Sequence, residues 1–491
     1  MNVNPITRLD YPDLDVIRVE DTYYMVSTTM HFMPGCEILQ SFDLVHWEHV
    51  TYVYETLDHT DAQQLKSGQN IYGQGMWAAS LRYHEGRFCI CFVANDTRKT
   101  YLYTSEKIDG PWKKQLIEGF YHDGSLLFDE DGRNYIVYGN DEIWITELNE
   151  DLTAPKKDGL HRLLVSDHKN PELGYEGSHI QKINGYYYIF LVHSLRDRWM
   201  RTEACFYSDS LEGEFTGGDV LCDDRGYCGQ GVAQGGIVDT PDGKWYAMLF
   251  QDSGAVGRIP ILLPVTWKDH FPVFGQNGHV PEEIEVHSTR PGYIYQPLVG
   301  SDDFCNGLLP RWQFNHDPDP RYYHLDALQG TYTITTREVC TELTQAVNTL
   351  TQRMSYPSCA AEVTVDASAL KEGDVAGLCA LQSCYAAVGI TKHHGKYEVL
   401  MLDKKEDGIL DMTEGTVVES HQMDFRLEAD FCNMKDEARC YYRVNKGDWL
   451  PIGTVHKLYF KLDHFTGCRF GLFCYAAEET GGSACFRDFK Y

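Results

Sequence analysis

Asp13-Leu-Asp-Val-Ile-Arg-Val-Glu-Asp-Thr-Tyr-Tyr24 decides the fold, because its grammar returns four more times before residue 255. The phrase is an opening residue, an apolar run, a tight turn and then aromatics. It recurs as Trp77-Ala-Ala-Ser-Leu-Arg-Tyr-His-Glu-Gly-Arg-Phe88, Asp123-Gly-Ser-Leu-Leu-Phe-Asp-Glu-Asp-Gly-Arg-Asn-Tyr135, Glu176-Gly-Ser-His-Ile-Gln-Lys-Ile-Asn-Gly-Tyr-Tyr187 and Gly236-Ile-Val-Asp-Thr-Pro-Asp-Gly-Lys-Trp-Tyr246. Each copy has the form of a β-hairpin, with a Glu-Asp, Glu-Gly, Asp-Gly or Asn-Gly type turn between strands rich in aromatic and β-branched residues. A spacing of roughly 45 to 65 residues is that of propeller blades, and helical solenoids lack such hairpins. The sequence therefore predicts an all-β fold that begins with a five-bladed β-propeller. Its topology would bring the three opening acids, Asp13, Asp123 and Glu176, toward one channel.

A second motif follows most hairpins: Ser41-Phe-Asp43-Leu-Val-His-Trp47, Ser105 to Trp112, Thr146 to Leu152 and Ser208 to Phe215. A Ser or Thr that ends a strand, a polar turn and a large apolar residue describe an outer strand with its packing anchor. The fifth blade is expected to close with Arg258-Ile-Pro-Ile-Leu-Leu-Pro-Val-Thr-Trp267. Gly- and Pro-containing text between Phe274 and Asp303 marks a linker. Beyond it the pattern changes to short alternating strands, such as Tyr332–Thr335, Ala361–Val365 and Tyr385–Ile390, which predict a β-sandwich. The expected domains are residues 1–290 and 300–491.

At 491 residues two domains are the natural division. Lys and Arg number 43 against 72 Asp and Glu, a formal charge of −29 that argues against nucleic acid or an anionic membrane as partner. A neutral sugar suits this surface, and the 13% aromatic content supplies rings for its C–H faces. The first residues lack the basic segment and apolar run of a signal peptide, so a cytoplasmic location is expected. The 16 cysteines form no Cys-x-x-Cys pair, and Cys89 and Cys91 alternate within a strand pattern, so free thiols packed as small apolar residues are expected. A homo-oligomer is compatible with the sequence.

Two carboxylates flanking a sugar can hydrolyse a glycosidic bond, one deprotonating water and the other protonating the leaving oxygen; a third beside the acid raises its pKa. Taken singly, each Asp has a plain alternative role in a turn or at a strand end. Their shared position in the repeat selects Asp13, Asp123 and Glu176, whereas Asp15, Asp21, Asp129 and Asp131 fall later in the phrase or in its turn.

The opening Tyr-Pro-Asp13-Leu-Asp-Val-Ile-Arg, the following Met-Pro-Gly35, and Gly-Met-Trp77-Ala-Ala-Ser, His-Asp123-Gly-Ser-Leu-Leu-Phe, Glu176-Gly-Ser-His-Ile-Gln-Lys and Gly-Arg258-Ile-Pro-Ile together resemble family 43 glycoside hydrolases. Trp312-Gln-Phe-Asn-His-Asp-Pro-Asp-Pro, Asn348-Thr-Leu-Thr-Gln-Arg353 and Gly373-Asp-Val-Ala-Gly-Leu378 are similar to the C-terminal sandwich, of concanavalin-like or jelly-roll type, of its β-xylosidase branch. The resemblance implies Asp13 as general base, Glu176 as general acid and Asp123 as the residue that raises the acid's pKa and orients it. It implies sugar contacts from Arg258, Trp77 and Phe32, with a core position the rival reading for Trp77. No cofactor is required. Where the family often carries a channel histidine associated with calcium, this chain has Gln234, which makes Gln234 the candidate ligand of any calcium ion in the channel; a calcium site in the sandwich is the other expectation. The implied activity is inverting, exo-acting release of xylose from short xylo-oligosaccharides, with α-L-arabinofuranosidase or a bifunctional enzyme as the alternative and a non-catalytic sugar-binding propeller as the reading from another class. The sandwich is expected to act as a lid, and its polar Asn315-His316-Asp317 reads equally as a loop or a sugar site.

Overall fold

Alternation inside the hairpin strands explains how the blades stack. In the strand Arg87–Ala94, Ile90 and Phe92 pack with residues of the blade before, among them Ile38 and Tyr54, while Cys89 and Cys91 pack with Leu126 and Ile136 of the blade after. A period of two sends successive side chains to opposite faces, so one buried strand supplies two inter-blade cores. The computed structural model describes residues 2–491 and repeats this arrangement five times.

Five four-stranded antiparallel sheets surround the axis, each with its strands in sequence order from the channel outward. Blade I comprises Asp15–Val19, Thr22–Ser27, Gly35–Ser41 and Glu48–Tyr54; blade II runs from Met76 to Ile117, blade III from Ser125 to Ser166, blade IV from Glu176 to Leu221, and blade V from Val232 to Phe274. Every repeated phrase forms, wholly or largely, the first hairpin of its blade. Arg258–Lys268 is the third strand of blade V, not its last; Phe271–Phe274 adds the fourth. Both terminal blades are drawn from continuous sequence, so the ring closes through side chains and the backbone of the N-terminal segment: Arg18 Nε donates to Asp239 Oδ1 at 3.1 Å, the Arg258 N–H donates to Asp10 Oδ1 at 2.7 Å, and the Tyr11 N–H donates to the Arg258 carbonyl at 3.0 Å.

The segment after Phe274 is packed back onto the propeller. Glu283–Ile284 pairs with Asn2–Val3, and the rings of Tyr293 and Tyr295 lie on Phe42. Two large antiparallel sheets then form the sandwich around a core that includes Trp312, Tyr332, Phe425, Phe470 and Phe486. Blade I contributes a strand of its own to this domain, because Phe32–Met33 pairs with Gln313–Asn315 at the edge of one sandwich sheet.

The interface is polar and buried. Arg353 Nη1 meets Glu37 Oε2 at 2.8 Å, each side chain at most 5% exposed. Asn315, His316 and Asp317 are neither a surface loop nor a sugar site. His316 Nε2 accepts the Ile71 N–H at 3.0 Å, Asn315 Nδ2 donates to Tyr72 Oη at 2.6 Å, and Asp317 lies 2.6 Å from His59 Nδ1, so the three fasten the sandwich to the connection between blades I and II. All 16 cysteines are free thiols, and among the described residues no helix is long and apolar enough to cross a membrane.

Candidate active site

The backbone at the channel ends of the inner strands has one recurring feature. Asp13 (φ 50°), Asp123 (φ 47°), Gly177 (φ 67°) and Gln234 (φ 66°) are all left-handed, and the inner strands of blades II, IV and V carry register shifts after Trp77, Glu176 and Ala233. Such irregularities re-aim side chains at a sheet end, and Asp tolerates the left-handed region better than most residues. Gly177 is required at its position: a Cβ would lie 2.8 Å from Gln234 Cγ, and its N–H donates to Asp123 Oδ2 at 3.0 Å.

Asp13 is 8% exposed and accepts three hydrogen bonds. Thr28 Oγ1 donates to Oδ2 at 2.8 Å, while Gln234 Nε2 and Arg258 Nη1 each donate to Oδ1 at 3.0 Å. One of these three donors, the Arg258 guanidinium, is cationic, which makes its bond charge-assisted. Arg258 is 2% exposed and is held from three sides: by Asp13, by Asp10 through its backbone, and by the Phe465 carbonyl, which accepts from Nη2 at 3.3 Å. The Phe465 ring lies 4.5 Å from its guanidinium carbon.

A second cluster comprises Asp123, Glu176 and His122, each offering an atom within 4.8 Å of the others. Burial, opposed by His122 and reinforced by Glu176 and Asp13, pushes the Asp123 carboxyl up to about 6. The Asp123 charge, followed by the Glu176 and Asp13 charges, raises His122 to about 9 against the cost of its burial. Asn140 Nδ2 donates to Glu176 Oε2 at 2.7 Å, and the Glu176 side chain, 18% exposed, is the wettest of the three acids. Charges this close exchange protons as one unit. Trp77 borders the cluster, with its ring 6.0 Å from His122 and 5.4 Å from Phe465 and its buried Nε1 unpartnered.

The structure thus gathers Asp13, Asp123, Glu176, Arg258 and Trp77. Phe32 is elsewhere: it is 2% exposed, packs among sandwich residues such as Leu343, Tyr385 and Phe473, and has the Arg469 guanidinium 3.4 Å from its ring centre. Its place in the strand that joins the sandwich sheet turns it away from the channel. Gln234 does not present a cation ligand either. Its Nε2 faces Asp13 and its Oε1 faces Arg201 Nη1 at 3.4 Å, and an oxygen facing a guanidinium is a poor start toward the six to eight oxygens calcium takes. The residues at this site do not fit that ion.

Several participants carry no repeat signal. His122 directly precedes a predicted acid, but its role depends on the fold bringing Glu176 beside it. Arg201 is buried in blade IV, where Nε donates to Asp252 Oδ2 at 2.9 Å; burial opposes its charge, and Asp252, Glu176 and Asp13 more than compensate. Glu203, 0% exposed, accepts the Gln234 N–H on Oε2 at 2.7 Å while its Oε1 has no partner; burial holds its carboxyl well above the usual range. Phe465 comes from the sandwich, more than two hundred residues after Arg258.

Comparison with known proteins agrees with this architecture. The pattern for glycosyl hydrolases family 43 matches residues 3–272, and that for the beta xylosidase C-terminal concanavalin A-like domain matches residues 301–491. A beta-xylosidase of Formosa agariphila is 26% identical over 98% of this chain and 88% of its own length. A non-reducing end alpha-L-arabinofuranosidase of Bacteroides ovatus is 23% identical, covering 84% of this chain and 79% of its own. Among solved structures, a bifunctional GH43-CE protein of Bacteroides eggerthii superposes with a TM-score of 0.93 at 42% identity over 100% of this chain, which spans 63% of that protein's length. A chain whose propeller and sandwich match both patterns in order belongs to glycoside hydrolase family 43 and is a hydrolase of O-glycosyl bonds.

Proposed function

We propose that this chain is an inverting, exo-acting β-1,4-xylosidase that removes single xylose units from the non-reducing ends of short xylo-oligosaccharides. The carrying observation is the division of the acids into two groups: Asp13 held by three donors, and Asp123, its carboxyl raised by burial, beside Glu176 and His122. Asp13 acts as general base and takes a proton from water. The water oxygen attacks the anomeric carbon, and Glu176 passes its proton to the departing glycosidic oxygen. Asp123, beside Glu176 and with its own carboxyl raised to about 6, serves as the third carboxylate that modulates and orients the acid. Trp77 and Phe465 wall the terminal sugar and Arg258 bonds its hydroxyls. The roof supplied by the sandwich supports exo action, since a closed end admits a chain terminus more readily than a chain middle. The free thiols support a cytoplasmic setting, where only short oligosaccharides would arrive.

The second reading is α-L-arabinofuranosidase, alone or combined, and the names of relatives favour it: the Bacteroides ovatus protein above and a xylosidase/arabinosidase of Butyrivibrio fibrisolvens, 23% identical over 99% of this chain. The test is early-time NMR of the sugar released from xylobiose, with Asp13→Ala as control. Prompt α-xylose that disappears in the variant supports the proposal. No xylose but release of arabinose from arabinosides transfers it to the second reading, and silence on both leaves a sugar-binding propeller.

A further inference from the structure

We propose that Trp199 is the platform on which the sugar ring of the leaving group lies, a subsite beyond the terminal-sugar pocket; this rests on the exo-glycosidase reading above. The loop 195–200 joins two strands of blade IV, Tyr186–Ser194 and Arg201–Ser208. Glu176 pairs with Val192, and Ser194 with Arg201, so this loop emerges at the end of the blade where Glu176 opens the inner strand. The acid protonates the oxygen of the leaving sugar, which must therefore depart over this blade.

Trp199 is 44% exposed, and the Arg201 guanidinium carbon lies over its ring at 5.5 Å. Arg201 is itself fixed by Asp252 and Gln234, the latter bonded to Asp13, so the indole is tied to the site on its inner side and open on the other. The loop is pinned at both ends: the Leu195 N–H donates to the Met200 carbonyl at 3.1 Å, and Arg196 is paired with the buried Asp167. An aromatic face held in place loses little freedom on binding and suits the C–H face of a pyranose. The ligand class is thus a second pyranose of an oligosaccharide, recognised by stacking more than by charge.

The test compares xylobiose with β-xylosyl fluoride, whose leaving group has no ring, in Trp199→Ala and Trp199→Phe. The expected result is a KM for xylobiose raised by between roughly threefold and tenfold in Trp199→Ala, an unchanged KM for the fluoride, and recovery of most of the loss in Trp199→Phe. Equal losses on both substrates would show Trp199 acting through Arg201 and overturn the proposal, as would no change on either. If the wild-type chain hydrolyses neither substrate, the exo-xylosidase reading fails on its own, and calorimetry of xylobiose on Glu176→Gln decides the platform: weaker binding on adding Trp199→Ala supports it, while equal or absent binding overturns it.

Discussion

Asp123→Asn should separate catalysis from stability, and the structure gives the size of both effects. The Asp123 charge is the first cause of the rise of His122 from 6.5 to about 9. In the variant the His122 midpoint should fall from about 9 toward 6.5, because the first cause of its rise is removed while Glu176 and Asp13 remain. A raised histidine contributes stability that is fully present below 6.5 and is lost as pH rises through about 9, so at pH 7 most of it is still present in the wild type. Asp123 has the opposite sign. Its carboxyl is raised from 3.8 to about 6, so the folded state binds more protons than the unfolded across that window, and ionised Asp123 costs the fold about 3 kcal/mol at pH 7. Asparagine removes that cost and still accepts the Gly177 N–H. The His122 attraction is already contained in that figure, since His122 opposes the rise of Asp123, so at pH 7 urea unfolding should show the variant the more stable, by up to about 3 kcal/mol. At pH 10, where wild-type His122 is neutral and no longer offsets ionised Asp123, the advantage of the variant should be larger than at pH 7. Turnover should fall roughly a hundredfold, because in the proposed mechanism Glu176 loses the carboxylate that modulates and orients it. The assay is NMR titration of the His122 ring beside urea unfolding at the two pH values. A His122 midpoint that stays near 9 in Asp123→Asn would refute the charge coupling on which the site is read.

Glu203→Gln should keep kcat and the acid limb of the pH–rate profile within about twofold, since a buried neutral acid and an amide offer Gln234 the same acceptor; Glu203→Ala frees Gln234 and should lower kcat roughly fivefold and move that limb upward. Steady-state profiles of the two variants check this, and equal losses in both would refute it. Phe465→Ala keeps the carbonyl that receives Arg258 but removes a ring 4.5 Å from its guanidinium, so kcat/KM should fall roughly tenfold with the melting temperature little changed; unaltered kinetics would place the roof outside the site. Dialysis against EDTA should leave activity and melting temperature unchanged, because Gln234 Oε1 faces Arg201; reversible loss restored by calcium would show that the donor set has been misjudged.

Why some of the site was legible in the sequence and some was not follows from the range of the interactions. Hairpin turns and alternating aromatics are local, so the five repeats marked every blade, and residues at the same phase of the repeat had to meet at the axis. That phase selected Asp13, Asp123 and Glu176, and the structure gathers all three. Arg258 and Trp77 came from the family resemblance, and both reach the cluster. Phe32 came by the same route and failed, because the loop that carries it pairs with the sandwich, an interaction nearly three hundred residues away in sequence. Nothing in the repeat could reveal Phe465, which lies in the other domain.

The repeat is informative about the channel for one further reason, the strand-start geometry. Asp13, Asp123, Gly177 and Gln234 all take left-handed backbones where their inner strands open, a conformation that costs most non-glycine residues about a kcal/mol or more. At Asp13 and Gln234 the cost is offset by partners drawn from other blades. Asp13 is held by Gln234 and Arg258, and Gln234 by Glu203, so the base is positioned by donors anchored in blades IV and V. Glu203 lies on the third strand of its blade and not at the phase of the acids, and only its unpartnered buried oxygen gives it away. Residues that react follow the phase of the repeat here, whereas residues that hold them follow the packing between blades. A reading by phase therefore finds the acids and misses the groups that set their ionisation.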